Sequence, residues 1–404
     1  MEVENMNWVG FVRLMKSIYD KGVPDIEWIE KQGLLAVKIG QTFALRIDFL
    51  DEETCTHLSR LYSHNSNIPS ETVEELIDMY TQEGWRENFE YIEKMPIASA
   101  SVGQVHRARL RSGEEVVVKL IKSDFTKNFK KDVDSLKKFL KTAIFLYPKL
   151  DKVADPLGIL KNIEKYTLDE LNLINEIEHG EILKGIRDSN VERYDLSKLK
   201  FPKIYRELSN ENILVSQFIR GETFDHLLQQ KKLDYDNLLE LFHIHGFYVF
   251  NIGTFHGDIH PGNIILSGED LYFIDTGAMS SVGEKIQTGL LKFMENLSYY
   301  NYEECAKNLN EMAEVEINGK KFDAYREKFL KLYEDFEGKT VSQVSLTRKM
   351  METIKLGVNS GMVFEKGMYP IIKSLMYLDG MVIKCNPTAV LMEDMRRFLG
   401  ELKK

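Results

Sequence analysis

Apolar residues at Trp8, Phe11, Val12, Met15 and Ile18 recur every three to four positions, the spacing of an amphipathic helix. A second helical stretch surrounds Leu34 to Phe43, so residues 1 to about 95 are predicted to be helical. The period changes at Pro96. The small-residue stretch IASASVGQVHRARL, the turn signal Arg111-Ser112-Gly113-Glu114 and the β-branched run Val116–Ile121 predict a glycine-containing loop between strands, then a hairpin. Helical spacing returns between Asp124 and Tyr147, through Phe125, Phe129, Val133, Leu136, Leu140 and Ile144, and again over Leu157 to Ile186. Two inserted helices are expected there. Phe201 to Leu208 and Asn212 to Ile219 read as strands, and nearly everything after Asp225 as helix, except two short strands around Ile264 and Phe273. The weakly charged stretch Leu241 to Phe255 is shorter than the roughly 18 residues of a membrane span and carries His243, His245 and Asn251, so it reads as a buried helix.

The pattern describes an α+β chain in three parts. Residues 1–95 form a helical extension, 96–219 a small mixed lobe with inserted helices, and 220–404 a mostly helical large lobe. With 43% hydrophobic and 29% charged residues, the 404-residue chain has globular proportions. Its net charge of −10 removes the electropositive field that binds nucleic acid without sequence preference, so no nucleic-acid partner is expected. Cys55, Cys305 and Cys385 are odd in number and far apart, which suits neither a disulfide framework nor a zinc site and points to a reducing cytosol. The opening MEVENMNWVG has no basic n-region or apolar h-region, so a cytoplasmic chain without a transmembrane segment is expected.

The chemistry is carried by four motifs in order. Ile97-Ala98-Ser99-Ala100-Ser101-Val102-Gly103-Gln104-Val105 has the rhythm of the glycine-rich loop that covers phosphates in kinases, with alanine at the first two glycine positions. Small residues let backbone pass close to phosphate; two methyl groups should narrow and stiffen that passage. Lys119 follows fourteen residues beyond Val105, ending Val117-Val118-Lys119 inside a strand. In the V-A-I-K pattern that ammonium holds the α- and β-phosphates and is oriented by a helix glutamate. His256-Gly257-Asp258-Ile259-His260-Pro261-Gly262-Asn263 keeps the H-x-D-x-x-x-x-N spacing of a catalytic loop, and Asp275-Thr276-Gly277 comes twelve residues later, after a strand. This spacing makes Asp258 the candidate base, with Asn263 and Asp275 the candidate Mg²⁺ ligands beside an ATP or ADP.

Two other chemistries use the same residues. Phe273-Ile274-Asp275-Thr276-Gly277-Ala278 matches one aspartic-protease signature, but that reaction needs two carboxylates sharing a proton, normally from a β-rich subunit. His256, Asp258 and His260 alternate like metal ligands of a hydrolase, yet no second His and Asp cluster completes a two-metal site, and His260 is read as orienting the loop.

From about residue 31 to 390 the chain resembles the UbiB/AarF/ADCK family of atypical, protein-kinase-like kinases. Lys38-Ile39-Gly40-Gln41 matches its K-x-G-Q motif and is followed by Leu45-Arg46-Ile47-Asp48; PIASASVGQVHRARL, HGDIHPGNIIL and LYFIDTGAM match its alanine-rich, catalytic and metal loops. The resemblance implies a protein-kinase-like bilobal fold whose N-terminal extension sets Lys38 and Gln41 where a protein substrate would dock, excluding peptides. It also implies that Glu170-Leu171-Asn172 stands for the E-x-D motif and that Glu176 is the partner of Lys119. Glu170 and Glu176, six apart, are not on one helical stripe and so can serve different lysines. The chain departs from the family at Asn172, at Thr276 where Phe is usual, and at Gln217 near the hinge, where Glu is usual.

The family is linked to polyprenyl-quinone and other isoprenoid lipid metabolism. The resemblance therefore implies an ATP- and Mg²⁺-dependent kinase or ATPase acting on or near a small lipid. The alternatives are a soluble small-molecule phosphotransferase of the aminoglycoside or choline kinase class and a nucleotide-binding scaffold that no longer transfers phosphate. Membrane contact, where it occurs, would be peripheral at the inner face, since the tail from Tyr369 carries too many charges for a span. One candidate surface is a helix from Lys119 to Lys141, with eight lysines against three aspartates and Phe125, Phe129 and Phe139 interleaved. A solvated helix over the small lobe is the plainer account of that charge.

Overall fold

The structure is a computed structural model; it describes residues 6–20, 23–44, 50, 52–62, 67–122, 125–147, 156–364 and 368–402. Leu45–Asp48, Asp124 and the side chain of Phe125 lie outside the described residues. The chain divides into two compact units, residues 1–177 with 203–218, and residues 178–202 with 219–404.

In the first unit an antiparallel sheet runs Phe89–Ile92, Gly103–Leu110, Glu115–Ile121, Ile213–Gln217, with Ala98–Ser99 also on Gly103–Leu110. Glu115–Ile121 is therefore an interior strand, and its Val116, Val118 and Leu120 alternate into a core with Ala108, Ile213 and Val215. A second core joins the N-terminal helices Trp8–Tyr19, Ile26–Lys31 and Leu34–Ala44 to the inserted helices Phe125–Leu146 and Pro156–Glu170, through Leu14, Ile39, Leu61, Phe129, Val133 and Leu140. Trp8 stacks on Phe139 at 5.8 Å between ring centroids. Phe129 and Phe139 are thus covered by the N-terminal helices, while Phe145, near the far end of the same helix, is exposed. Lys127, Lys130, Lys131, Lys138 and Lys141 face outward.

In the second unit, Leu199–Lys200, Asp270–Phe273, Ile264–Ser267 and Glu222–Thr223 form a small sheet, and Thr254–His256 pairs with Met279–Ser281. Helices pack around a large core that includes Phe224, Leu241, Phe247, Phe255, Phe273, Phe293 and Phe329. Among the described residues no helix is long and apolar enough to cross a membrane.

Several predicted elements differ. Strand Phe89–Ile92 interrupts the helical N-terminal region, because its residues complete the sheet edge against Gly103–Leu110. The single predicted helix over Leu157–Ile186 is two, Pro156–Glu170 and Leu173–Asp188, with Asn172 accepting from the Ile174 N–H at 3.1 Å as the second begins. Lys119 and Lys122 do not belong to the lysine-rich helix, since the strand runs to Ile121 and the helix starts at Phe125. Phe201–Leu208 is not a strand: Ile204 makes one bridge to Ser216 and Arg206–Leu208 is a 3-10 turn. Helix Tyr235–Gly246 extends through a π-helical turn to Ile252, then stops at Gly253, whose φ of 75° reaches the left-handed region and frees Thr254–His256 to pair as a strand.

Candidate functional site

The first unit holds the residues read as a candidate phosphate loop. The Ala100 N–H donates to the Gly103 carbonyl at 2.8 Å, closing a tight turn between Ala98–Ser99 and Gly103–Leu110. A Cβ at Gly103 would stand 3.3 Å from the Leu120 carbonyl and 3.8 Å from Lys119 Cε, so the glycine lets the loop cross close over the lysine strand. Ile97, Ala98 and Ala100 are exposed, whereas Val102 is buried. Gln104 is fully buried; its Oε1 accepts from the Ile68 N–H at 3.0 Å and its Nε2 donates to His106 Nε2 at 3.0 Å. His106 donates from Nδ1 to the Glu93 carbonyl at 2.7 Å, and burial holds its pKa below the ordinary value, against the pull of Glu93. The Gln104 side chain is thereby committed beneath the loop, leaving only its backbone on the loop itself. Val105 pairs with Lys119 across the sheet.

Lys119 Nζ reaches Glu176 Oε2 at 2.7 Å, and both side chains are largely buried. Lys38 pairs with Glu170 and donates to Ser101 Oγ at 3.3 Å, tying the K-I-G-Q helix to the alanine-rich loop. Glu170 and Glu176 do serve different lysines, and they do so from two separate helices. Gln41 donates from Nε2 to the Leu61 carbonyl at 2.9 Å. A Cβ at Gly40 would come within 2.5 Å of Leu61 Cδ1, which explains a glycine between Ile39 and Gln41: the helix lies against the turn Ser59–Tyr62 at that point.

The second unit holds the other set. The Gly257 N–H donates to the Ala278 carbonyl at 2.7 Å, and the Asp258 N–H donates to His256 Nδ1 at 3.1 Å. His260 Nδ1 accepts from the Gly262 N–H at 3.1 Å and starts the turn Pro261–Asn263. Asn263 donates from Nδ2 to the Asp258 carbonyl at 3.0 Å, which directs its amide oxygen away from that contact. Asp275 Oδ1 accepts from the Gly277 N–H at 3.2 Å, and His179 Nδ1 donates to the Gly277 carbonyl at 3.1 Å. Thr276 is buried against Gly180, where a Cβ would meet its Oγ1 at 2.9 Å. Burial pushes His256 and His260 below their ordinary values, against the pull of Asp258, so both rings are neutral at pH 7. For Asp258, burial pushes upward, but the Lys373 ammonium at 2.9 Å outweighs it and leaves the carboxyl below its usual range.

The motif residues fall into two sets: Lys38, Gln41, the loop Ile97–Val105, Lys119, Glu170 and Glu176 in the first unit, and Asp258, Asn263 and Asp275 in the second. Lys373, Tyr377 and His179 carry no sequence signal of their own; a lysine on an amphipathic helix is most simply read as solvated. Asn263 and Asp275 offer hard oxygen donors, which suits Mg²⁺. Among the described residues no group of three or more His, Cys, Asp or Glu could hold a metal, so these two would form part of a shell that phosphate oxygens and water complete.

A small antiparallel sheet with a buried lysine–glutamate pair and an H-x-D-x-x-x-x-N loop followed by Asp-Thr-Gly define a kinase-like protein. The chain matches the ABC1 atypical kinase-like domain over residues 60–309 and belongs to that family, together with the proteins named UbiB and AarF domain-containing kinase. It is 31% identical over 280 residues to the chloroplastic Protein ACTIVITY OF BC1 COMPLEX KINASE 8 of Arabidopsis thaliana, covering 66% of this chain and 35% of that one. It is 29% identical over 272 residues to a probable protein kinase UbiB of Pseudomonas aeruginosa, covering 65% and 50%. A Clostridium pasteurianum protein from the hydrogenase 1 5' region is 26% identical over 370 residues, covering 89% and 66%. The chain thus spans from about a third to about two thirds of the length of these relatives. Among solved structures, Rv3197 of Mycobacterium tuberculosis, determined with erythromycin, shares the fold with a TM-score of 0.54 at 18% identity, over 87% of this chain and 91% of that one.

Proposed function

We propose that the protein is an ATP- and Mg²⁺-dependent phosphotransferase or ATPase of UbiB type, acting on or near a small isoprenoid-like lipid and not on proteins. The observation that carries the reading is the buried Lys119–Glu176 pair directly under Gly103, because an ammonium held at that depth beside a small-residue loop has a phosphate-binding task to account for it. In this reading Lys119 holds the α- and β-phosphates, Glu176 orients it, and Asn263 and Asp275 hold Mg²⁺. Bound magnesium would offset the negative charge of the phosphates. Asp258 takes the proton of the acceptor hydroxyl, or of water, as that oxygen bonds to the γ-phosphorus and the bond to the β–γ bridging oxygen breaks, leaving ADP. Lys38, held by Glu170 and Ser101, keeps the N-terminal helix on the loop and leaves less room for a peptide. The lipid class rests on the family resemblance, and the outward lysines of Phe125–Leu146 supply positive charge for peripheral contact with an anionic membrane surface.

The test begins with thermal unfolding of the native chain and of Asp275→Asn, with ATP or ADP and with or without Mg²⁺. Ligand at 100 times its Kd stabilises the folded state by about 2.7 kcal/mol. A magnesium-dependent rise in midpoint that Asp275→Asn removes supports the nucleotide site; no rise with any nucleotide overturns it. Phosphate release that is lost in Asp258→Asn supports turnover and opposes a scaffold role. Stimulation by isoprenoid-containing vesicles favours the lipid reading, and stimulation by a polar alcohol or amine without lipid favours the small-molecule phosphotransferase.

A further inference from the structure

Helix Met368–Cys385 brings two side chains, one turn apart, onto the catalytic loop. Lys373 Nζ stands 2.9 Å from Asp258 Oδ1, with 18% and 28% of the two side chains exposed. Oδ1 itself is buried and meets Lys373 as an ion pair without an aligned hydrogen bond, so the exposure of Asp258 lies on its other atoms. The Lys373 ammonium also lies 5.6 Å from the centre of the Tyr377 ring, and that ring meets His260 edge-on at 5.2 Å. One helix face therefore touches both the candidate base and the histidine that starts the turn after it.

A loosely solvated lysine has no reason to adopt this arrangement. Ordering its long side chain costs conformational entropy, and a carboxylate with one oxygen out of water needs a counter-charge. The loop's own histidines cannot supply one at neutral pH, because His256 and His260 each use Nδ1 to accept a backbone N–H. Ile371, Ile372 and Leu378 anchor the helix in the core, so Lys373 is presented by a rigid element and not by a loop.

We propose that Lys373 is the positioning residue for Asp258: its ammonium occupies Oδ1, fixes the rotation of the carboxylate and leaves Oδ2 to take the acceptor's proton. The proposal rests on the phosphotransferase reading and adds a group from outside all four sequence motifs. A base that is ionised but free to rotate loses part of its advantage, since proton transfer needs a fixed donor–acceptor geometry.

The experiment measures Mg-ATP turnover of the full chain for Lys373→Met, Lys373→Arg and Lys373→Ala, with Asp258→Asn assayed beside them. Lys373→Met is expected to lower kcat by about 100-fold, the size of a general-base contribution, while leaving KM and the nucleotide-induced rise in unfolding midpoint in place. Lys373→Arg should recover most of the rate, and ethylammonium should restore Lys373→Ala in a saturable manner. Combining Lys373→Met with Asp258→Asn should lower the rate no further than Asp258→Asn alone. The proposal is overturned if Lys373→Met stays near the native rate while Asp258→Asn abolishes it. A loss that neither arginine nor the amine restores, accompanied by a lower unfolding midpoint, marks a packing role and overturns it as well. Retained turnover in Asp258→Asn is a separate result, which removes the base assignment and the proposal with it.

Discussion

Lys119 Nζ and Glu176 Oε2 meet at 2.7 Å although 57 residues separate them, one on an interior strand and the other in the first turn of helix Leu173–Asp188. Their side chains keep only 16% and 7% of their exposure. A pair this deep contributes little net stability while both partners are present, because desolvation offsets most of the attraction. Its place under the alanine-rich loop makes it the sharpest link between fold and chemistry in the first unit.

Breaking that pair from one side should therefore be expensive. Lys119→Met takes the ammonium away from a buried carboxylate and is expected to destabilise the chain by about 3–5 kcal/mol in urea unfolding. Replacing both, as Lys119→Met with Glu176→Leu, should restore most of the stability without restoring the nucleotide-induced rise in midpoint. Recovery of the rise along with the stability would show that the pair is structural only.

Two glycines separate rigid from yielding neighbours. A Cβ at Gly221 would stand 2.2 Å from the Leu266 carbonyl oxygen, which is backbone of the paired strand, whereas a Cβ at Gly289 would meet Met312 Cγ at the same 2.2 Å. Gly221→Ala must spread the pairing of Glu222–Thr223 with Ile264–Ser267 and is expected to lose about 1–3 kcal/mol or more. Gly289→Ala asks the buried Met312 side chain to turn at its first bond and repack, which a flexible thioether does more readily than paired backbone can move, so it should lose less than Gly221→Ala. Equal midpoints for the two variants in a thermal scan would contradict this ordering.

His245 should make stability fall in mild acid. Its ring packs edge-on to Phe255 at 5.7 Å, both ring nitrogens are buried without a hydrogen bond, and burial, aided by neighbouring His256, pushes it down to about 3. The unfolded chain takes up this proton near pH 6.5 and the folded chain does not, so stability is complete above pH 6.5 and declines as pH falls toward 3. His245→Phe should flatten that decline, gaining about 1.4 kcal/mol at pH 5.5 relative to its effect at pH 8. Parallel stability curves for the two chains between pH 8 and 5 would rule out this contribution.

Tyr333 and Thr353 share a buried hydroxyl contact at 2.9 Å, and Thr353 Oγ1 also donates to the Lys349 carbonyl at 2.7 Å. Tyr333→Phe therefore removes one hydrogen bond without leaving Thr353 unsatisfied, and about 0.5–1.5 kcal/mol should be lost in chemical unfolding. A loss above about 3 kcal/mol would mean that the hydroxyl pair anchors a larger network than these two side chains.

Some of this molecule was legible along the chain because its signals are local. The turn at Arg111–Glu114, the alternation over Val116–Ile121 and the helical spacing over Phe129–Leu140 concern neighbours a few residues apart, and these elements form where the pattern puts them. The same holds for HGDIHPGN, whose internal hydrogen bonds, His256 to Asp258, His260 to Gly262 and Asn263 to Asp258, span five residues or fewer. Short strands escaped the reading because two or three residues have no period: Thr254–His256 exists through its pairing with Met279–Ser281. The interleaved phenylalanines of the lysine-rich helix left inside and outside unassigned; Phe129 is buried and Phe139 stacks on Trp8 because the N-terminal helices cover that face.

The sequence by itself determined the order of the chemical groups, the small-residue loop before a strand lysine, and the acid–amide–acid set of the second unit, since each is a matter of residue type and spacing. Tertiary structure alone decided which charges meet. Glu170 faces Lys38 across 132 residues of chain, and Asp258 receives its counter-ion from Lys373, on a helix that reads by itself as an ordinary amphipathic segment. The reason is physical: hydrogen bonds within a turn are set by backbone geometry over a few residues, whereas the partner of a buried charge is set by how the cores pack, a property no window of sequence contains.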